Sequence, residues 1–463
     1  MVVVLLVLAR TATPAEMAFA VFRGNGRAAN IEPDSTGLES CETYSGGVRV
    51  ADKCSSRSAP DVQPQLTGSQ NDWNRNFQGF AMGRLTRRLV LAGGGVALAA
   101  VGVGGYLIKH PRPAPIGFDI TPEELVRARA LLSHHPSIDA HAHPGRTFVD
   151  GAENLSGLVW VYAKLGTFEK RTIADMQAGG LTAAAFAAVS DFQTLGTAGE
   201  GLTAVRNFAP GEAWTSYKRQ IGKLQALTES GLVRPIKTLA DFQAAKASGK
   251  PGAFLTVEGG DFLEGKPERV AEAYADGVRS ITLMHYRNNE LGDIITGAPV
   301  HGKLSDAGVA VVKAMNAIGM LVDVAHASEA TAMGAIRASS KPVMASHVHV
   351  QSEKLHHPRF ISLDLAKAVA ETGGGVLGAW PAGIGIVDLN GFVDRTFELV
   401  DHVGIDHVCL GTDMDANYKP VFDTYANLPV YVAGLLKRGM REPEVAKLIG
   451  GNFLRVFAAV QST

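Results

Sequence analysis

Residues 137–143 read SIDAHAH, an apolar-leaning run that stops on two histidines. Side chains two apart on a strand share a face, so His141 and His143 can reach one point while Ala142 turns away. The same punctuation recurs downstream. Short apolar runs at 253–258, 280–285, 320–326, 342–347 and 407–413 end on Glu258, His285, His326, His347 and Asp413. Runs at 181–189 and 375–380 bring the candidate strands to eight. Amphipathic segments lie between them. Ser305, Ser328 and Ser362 are placed to cap three helices, and Asn390 precedes a fourth. Strands alternating with helices imply parallel strands joined by helical crossovers. Eight such units after residue 118 predict an α/β (β/α)8 TIM barrel, with a doubly wound sheet as the alternative.

In a barrel all C-terminal strand ends meet on one face, and chemistry sits there. Six of the eight expected ends carry a metal-ligand type or a proton-transfer group, which chance does not readily produce. Neutral imidazoles with a carboxylate suit zinc or a similar divalent ion. His141, His143, Glu258, His326 and His347 exceed the three protein ligands that one catalytic zinc takes, so two ions sharing Glu258 as a bridge are expected. Two ions about 3.5–4 Å apart can clamp a hydroxide and polarise a carbonyl. Asp413 is then free to accept the proton of the attacking water and pass it to a leaving amine, with Asp415 as its rival. The other histidines read otherwise: His349, His356 and His357 as loop residues, and His134, His135, His402 and His407 as helical or edge positions.

The chain has 463 residues with 44 basic and 45 acidic side chains, a net charge of −1. That balance excludes a general nucleic-acid binder, which needs a basic surface. Hydrophobic residues make up 46%, enough to bury a large core. Three cysteines exclude a disulfide framework and a four-cysteine zinc site, and Cys409, inside an expected strand, reads as packing. Glycine triplets at 93–95 and 373–375 lack the Lys-Ser/Thr of a phosphate loop, and no Gly-x-Ser-x-Gly nucleophile elbow occurs.

All 14 histidines lie after residue 109. Residues 1–81 are polar and read as disordered, or as lying upstream of the true start. A fresh start is visible at Met82, where Arg87-Arg88 leads an uncharged stretch from Leu89 to Ile108. The pair resembles a twin-arginine export signal, and export in the folded state suits a chain that takes up metal in the cytoplasm. A retained anchor is the other reading, since 20 apolar residues can span a bilayer. Either places the barrel outside the cytoplasm, periplasmic or membrane-anchored. A Pro-rich spacer, 109–117, completes the segment 82–117, and the barrel occupies 118–463.

Several segments, in order, resemble the membrane dipeptidase (renal dipeptidase, peptidase M19) family of the metal-dependent amidohydrolase group. They are SIDAHAH, VEGGDFLEG, ITLMHYRNN, GKLSDAGVAVVKAMNAIGMLVDVAHAS, KPVMASHVHV, HPRFISLD, FELVDHVGIDHVCLGTDMDA and VAKLIGGNFLRVF. The resemblance implies a TIM barrel, a binuclear zinc site and hydrolysis of dipeptides, some with a C-terminal D-residue. It implies His141 as a ligand of the first zinc, Glu258 as the bridge, and His326 and His347 as ligands of the second. His285 would steady the substrate and the tetrahedral oxyanion. Arg359 would bind the substrate carboxylate, and Asp413 would hold its amine and move protons.

Two positions depart from the family. His143 stands where it usually has aspartate, costing the first ion a negative charge. Asp261 stands where Glu-Gly-Gly-His is usual. The expected activity is therefore a zinc-dependent dipeptidase acting on a small-molecule dipeptide. The alternatives are an amidohydrolase of N-acyl amino acids or lactones, and a non-catalytic envelope binding protein. Anchoring through 89–108 and a homodimer stay open.

Overall fold

The structure, a computed structural model, describes residues 113–198, 201–353 and 355–462. Nine strands form one sheet: β1 (Ile138–Asp139), β2 (Ala183–Val189), β5 (Arg234–Ile236), β6 (Gly252–Glu258), β7 (Ser280–Thr282), β8 (Leu321–Asp323), β9 (Val343–Val348), β10 (Val376–Ala379) and β11 (Val408–Leu410). Every pairing in it is parallel. β2 pairs with both β1 and β6, and β1 pairs with β11, so eight strands close into a barrel. The (β/α)8 expectation holds, and the doubly wound alternative does not. β5, not expected from the sequence, pairs only with the start of β6. β3 (Leu195–Ala198) and β4 (Gly201–Ala204) form a separate antiparallel hairpin after β2.

Residue size explains the closure. β2 reads AAAFAAV, buried throughout, and its small side chains let the strands converge. Gly378 and Gly411 leave no room for a Cβ, which would sit 1.7 Å and 1.8 Å from the Ser346 carbonyl oxygen. Ala183, Ala185, Phe254, Leu321, Met344 and Cys409 fill the interior with Phe453 and Phe457, which lie on the C-terminal helix Asn452–Gln461. The intervening residues Ala184, Phe186, Val257, Val322 and Ala345 pack outward in the larger cluster that includes the surrounding helices. Cys409 is thus packing, and burial raises its thiol pKa.

Ser305, Ser328 and Ser362 each cap a helix as expected, accepting from Gly308, Thr331 and Leu365 N–H. Asn390 does not. The cap is Asp388, which accepts from Gly391 N–H, because the helix already starts at Leu389. The spacer's last residues are tied to the barrel: Pro115 and Ile116 carbonyls accept from Leu389 and Asn390 N–H, each at 2.9 Å. The expectations for 1–81 and for the apolar stretch 89–108 lie outside the described residues. No helix among the described residues is long and apolar enough to cross a membrane.

Candidate metal centre

Several strands are shorter than their sequence runs, so most of the histidines sit just past a strand rather than on it. β1 ends at Asp139, β7 at Thr282, β8 at Asp323 and β11 at Leu410. Only Glu258, the last residue of β6, and His347, within β9, are strand residues. Local devices re-aim the rest. Ile138 and Ala140 both pack in the interior, whereas Ala142 packs outside. The alternation therefore slips at His141, whose N–H donates to Asp139 Oδ1 at 3.2 Å. In β9 the register against β10 gains one residue, a β-bulge that turns His347 inward. His326 and Asp413 have φ of +63° and +54°, left-handed conformations that are uncommon for non-glycine residues.

These turns aim five imidazoles at one carboxylate. Glu258 Oε1 lies 3.2 Å from His141 Nε2, 3.1 Å from His326 Nε2 and 3.6 Å from His347 Nε2. Its Oε2 lies 3.3 Å from both His143 Nε2 and His285 Nε2. Asp413 Oδ1 is 3.4 Å from His143 Nε2. All of these side chains except Asp413, at 14% exposure, are nearly removed from water. Burial alone would push the Glu258 carboxyl up, but the surrounding imidazoles, His285 and His141 foremost, hold it well below the ordinary carboxylate range. Burial keeps His326 and His347 well below the ordinary histidine range, helped by Arg359 at His326 and by His141 at His347. For His143 burial pulls down, but Asp413 and Glu258 prevail and raise it to about 10.

The donor set fits metal ions. Three overlapping groups, His141–His143–Asp413, His141–Glu258–His347 and Glu258–His285–His326, each bring their ligand atoms within 4.8 Å of one another. His141 Nε2 is buried without an aligned hydrogen bond, and His326 Nε2 faces His347 Nε2 at 2.9 Å. Ring nitrogens converging on a carboxylate are what a divalent ion requires, with His143 giving up its proton as the ion binds. The outer ring nitrogens are anchored too. Those of His143 and His347 lie 3.2 Å from Ala187 O and 3.0 Å from Ser346 Oγ, which leaves Nε2 for the metal.

The centre floors a cavity of about 270 Å³. Arg359 lies on its His326–His347 side, with Nη2 at 2.9 Å and 3.1 Å from their Nε2 atoms. Arg359 Nε and Nη1 have no hydrogen-bond partner among the described residues, and the Trp380 ring centroid is 5.1 Å from the guanidinium carbon. Asp415 is committed elsewhere, accepting from Gly145 N–H and Thr172 Oγ1 at 2.7 Å each. His349 is a loop residue as read, but a buried one, 3.4 Å from Glu398. Asp261 pairs with Arg287 at 2.8 Å, and burial with the nearby Asp191 charge raises it to about 7.

Sequence reasoning missed the supports. Asp191, after β2, holds His285 Nδ1 at 2.6 Å. Asp139 accepts from Thr412 N–H at 2.9 Å and Tyr425 OH at 2.7 Å, tying β1 to the turn that carries Asp413. Asp323 accepts from Thr282 Oγ1, Ala325 N–H and Ser346 N–H at 2.6, 3.0 and 2.9 Å, tying together the elements that carry His285, His326 and His347. The signal available for Asp139 and Asp323 was a lone acid in an otherwise apolar strand.

A closed parallel barrel whose mouth gathers histidines around one carboxylate places this chain among metal-centre barrels. More narrowly, the chain belongs to the membrane dipeptidase family, peptidase family M19, whose model matches residues 125–463. Dipeptidase verJ of Clonostachys rogersoniana is 31% identical over 258 residues, 54% of this chain and 66% of that protein. The chain thus spans a little under two thirds of that relative's length. The fold is shared with the probable dipeptidase PvdM of Pseudomonas aeruginosa, with a TM-score of 0.62 at 18% identity, over 74% of this chain and 99% of that one. It is shared also with a Rhodobacter sphaeroides metallo peptidase liganded with a phosphinate mimic of the dipeptide L-Ala-D-Ala. That likeness has a TM-score of 0.59 at 19% identity, over 70% and 99% of the two chains.

Proposed function

We propose that this chain is a zinc-dependent dipeptidase that hydrolyses the peptide bond of dipeptides at a two-ion centre. The observation that carries this is one cavity holding, in sequence across it, Asp413, the imidazole-ringed Glu258 and Arg359. His141, His143 and Glu258 would hold one ion, and Glu258, His326 and His347 the other. Bound zinc supplies Lewis-acid polarisation of a carbonyl and acidifies water.

The chain's own residues do the rest. Arg359, with Nε and Nη1 free of hydrogen bonds, pairs with the substrate carboxylate through a charge-assisted hydrogen bond. Asp413 holds the substrate amine, takes a proton from the attacking water and delivers it to the leaving amine. His285, raised above its usual pKa by the Asp191 and Glu258 charges against the pull of burial, donates to the oxyanion of the tetrahedral intermediate.

Membership of a family described as membrane dipeptidases supports reading 82–117 as an export or anchoring segment ahead of the barrel. An amidohydrolase of N-acyl amino acids is the second reading, favoured by His143 and Asp261 at the two departures. The test is a panel of dipeptides and N-acyl amino acids given to zinc-loaded protein, beside metal quantitation. About two zinc per chain and chelator-sensitive dipeptide cleavage are expected. Cleavage of acylated amino acids alone would favour the second reading, and a metal-free protein would remove the first.

A further inference from the structure

The cavity over the metal centre has two unlike ends. Arg359 and Trp380 border one. Beyond His143 and Asp413 the other end is walled mainly by carbon: Phe148, Val159, Phe192, Leu195 and Leu202, with Tyr162 and Thr197 beside them. The transition is abrupt. The Phe148 ring meets the edge of His143 at 5.3 Å and Phe192 at 4.9 Å between centroids. Four of these five side chains are buried, and Leu202 is 36% exposed. Leu158, on the rim, is 48% exposed, so apolar surface faces the opening.

This wall is fixed at its base. It comes from the turn after β1, the helix Gly157–Lys164, the short turn Phe192–Thr194 and the β3–β4 hairpin. Val205 N–H donates to Thr194 O at 2.9 Å, and Ala204 N–H to Tyr286 O at 3.2 Å, beside His285. Ser156 Oγ reaches Leu195 O at 3.3 Å, joining helix to hairpin. A Cβ on Gly196 would sit 2.7 Å from both Val205 methyls, so the hairpin base is closely packed.

The order along the cavity is apolar chamber, Asp413, metal centre, Arg359. A dipeptide with its carboxylate on Arg359 and its amine on Asp413 has one orientation. Its first side chain branches from the carbon that bears the amine, and so enters the chamber. We infer that this chamber is the site for the amino-terminal side chain and selects dipeptides whose first residue is bulky and apolar, such as leucine, methionine or phenylalanine. The inference rests on the dipeptidase reading above and adds the substrate class. Seating such a side chain in a dry apolar wall favours it over alanine by about tenfold to a hundredfold in kcat/KM.

The test uses the zinc-loaded full chain and two series, X-Gly and Gly-X, with X as Ala, Ser, Leu or Phe. Leu-Gly and Phe-Gly are expected to exceed Ala-Gly by at least about tenfold, with Ser-Gly lowest. Phe192→Ala should bring the Leu-Gly to Ala-Gly ratio down towards one. Leu202→Asn, at a partly exposed wall position, should lower it about threefold. Cleavage of Ala-Gly as fast as Leu-Gly overturns the inference and leaves the dipeptidase reading standing. Cleavage of no dipeptide overturns the reading beneath it. An unchanged ratio in both variants removes these walls from specificity.

Discussion

Asp191 grips His285 from behind: His285 Nδ1 lies 2.6 Å from Asp191 Oδ1, while Asp191 Oδ2 accepts from Tyr286 N–H at 2.9 Å. The two residues follow different strands, 94 positions apart in the chain, and the contact is fully buried. One carboxylate therefore fixes both the ring and the backbone beside it, and Nε2 is left pointing at Glu258 Oε2. Asp191→Asn replaces an acceptor-only group with one that can present either end to the imidazole. A loss of about 10–100-fold in turnover is expected, with zinc content unchanged, as for other outer partners of metal-site histidines. Steady-state kinetics beside elemental analysis checks this, and full turnover in the variant would show that other contacts orient the ring.

Glu258 and Asp413 should separate under mutation. Glu258 is the acceptor on which all five imidazoles converge, so Glu258→Ala removes the bridge between the two ligand groups. Loss of both zinc ions and of all activity is expected. Asp413 touches only His143 among these groups and faces the cavity. Asp413→Asn should keep the metal while slowing turnover by about 10²–10⁴, the usual worth of a positioned acid–base. Metal quantitation on both variants decides it. An active Asp413→Asn would remove that residue from proton transfer.

The barrel was legible because its eight strands announce themselves by apolar runs, six of them with a polar stop. The site was legible for the same reason: Glu258 and His347 sit on strands, and His141, His143, His285, His326 and Asp413 follow them closely. What a one-dimensional reading could not show is where each strand lets go. The left-handed turns at His326 and Asp413 and the bulge before His347 depend on hydrogen bonds from neighbouring strands, as with Asp323 and Ser346 N–H. Asp191 was invisible for a related reason. It ends no metal-ligand pattern, and its partner is 94 residues away. The apolar chamber has no sequence signature, because Phe148, Phe192 and Leu202 lie on separate elements that meet only in the folded chain.

His143 lies between Glu258 and Asp413, 3.3 Å and 3.4 Å from their oxygens. Either a proton on the ring or a cation beside it relieves those two charges. His143→Asp would put a third carboxylate there, and like charges at such range repel strongly when little water screens them. The substituted protein should therefore depend on metal for its stability. Its melting temperature in chelator is expected to fall clearly below that of the parent, and added zinc should restore it. Dipeptide turnover should rise, since aspartate is the usual residue there in the family. Thermal melts with and without chelator, followed by kinetics, test both parts. Equal melting in chelator would mean that His143 is not held between charges as described.

Acid should loosen the second half of the centre through Asp293. Its buried carboxylate accepts from Val300 N–H at 2.8 Å, His301 N–H at 3.0 Å and Gly302 N–H at 2.6 Å. Those donors outweigh burial and hold its pKa below the ordinary aspartate value. The turn they close is joined to the metal site, since Ile295 N–H donates to His326 O at 2.7 Å and Ser328 N–H to Asp293 O at 2.8 Å. A depressed pKa means that the folded state holds its proton less tightly than the unfolded chain does. The stabilisation is therefore complete above the unfolded value, about 3.9, and is lost as pH falls through the folded one. Asp293→Asn keeps one acceptor oxygen and loses the charge, so it should cost about 1–3 kcal/mol near neutral pH. That deficit should shrink below about pH 4, where the unfolded parent begins to take up the proton, until the folded carboxylate does so too. Denaturant unfolding of both proteins from pH 7 down to pH 3 measures the gap. A gap that stays constant across that range would assign the effect to packing and not to charge.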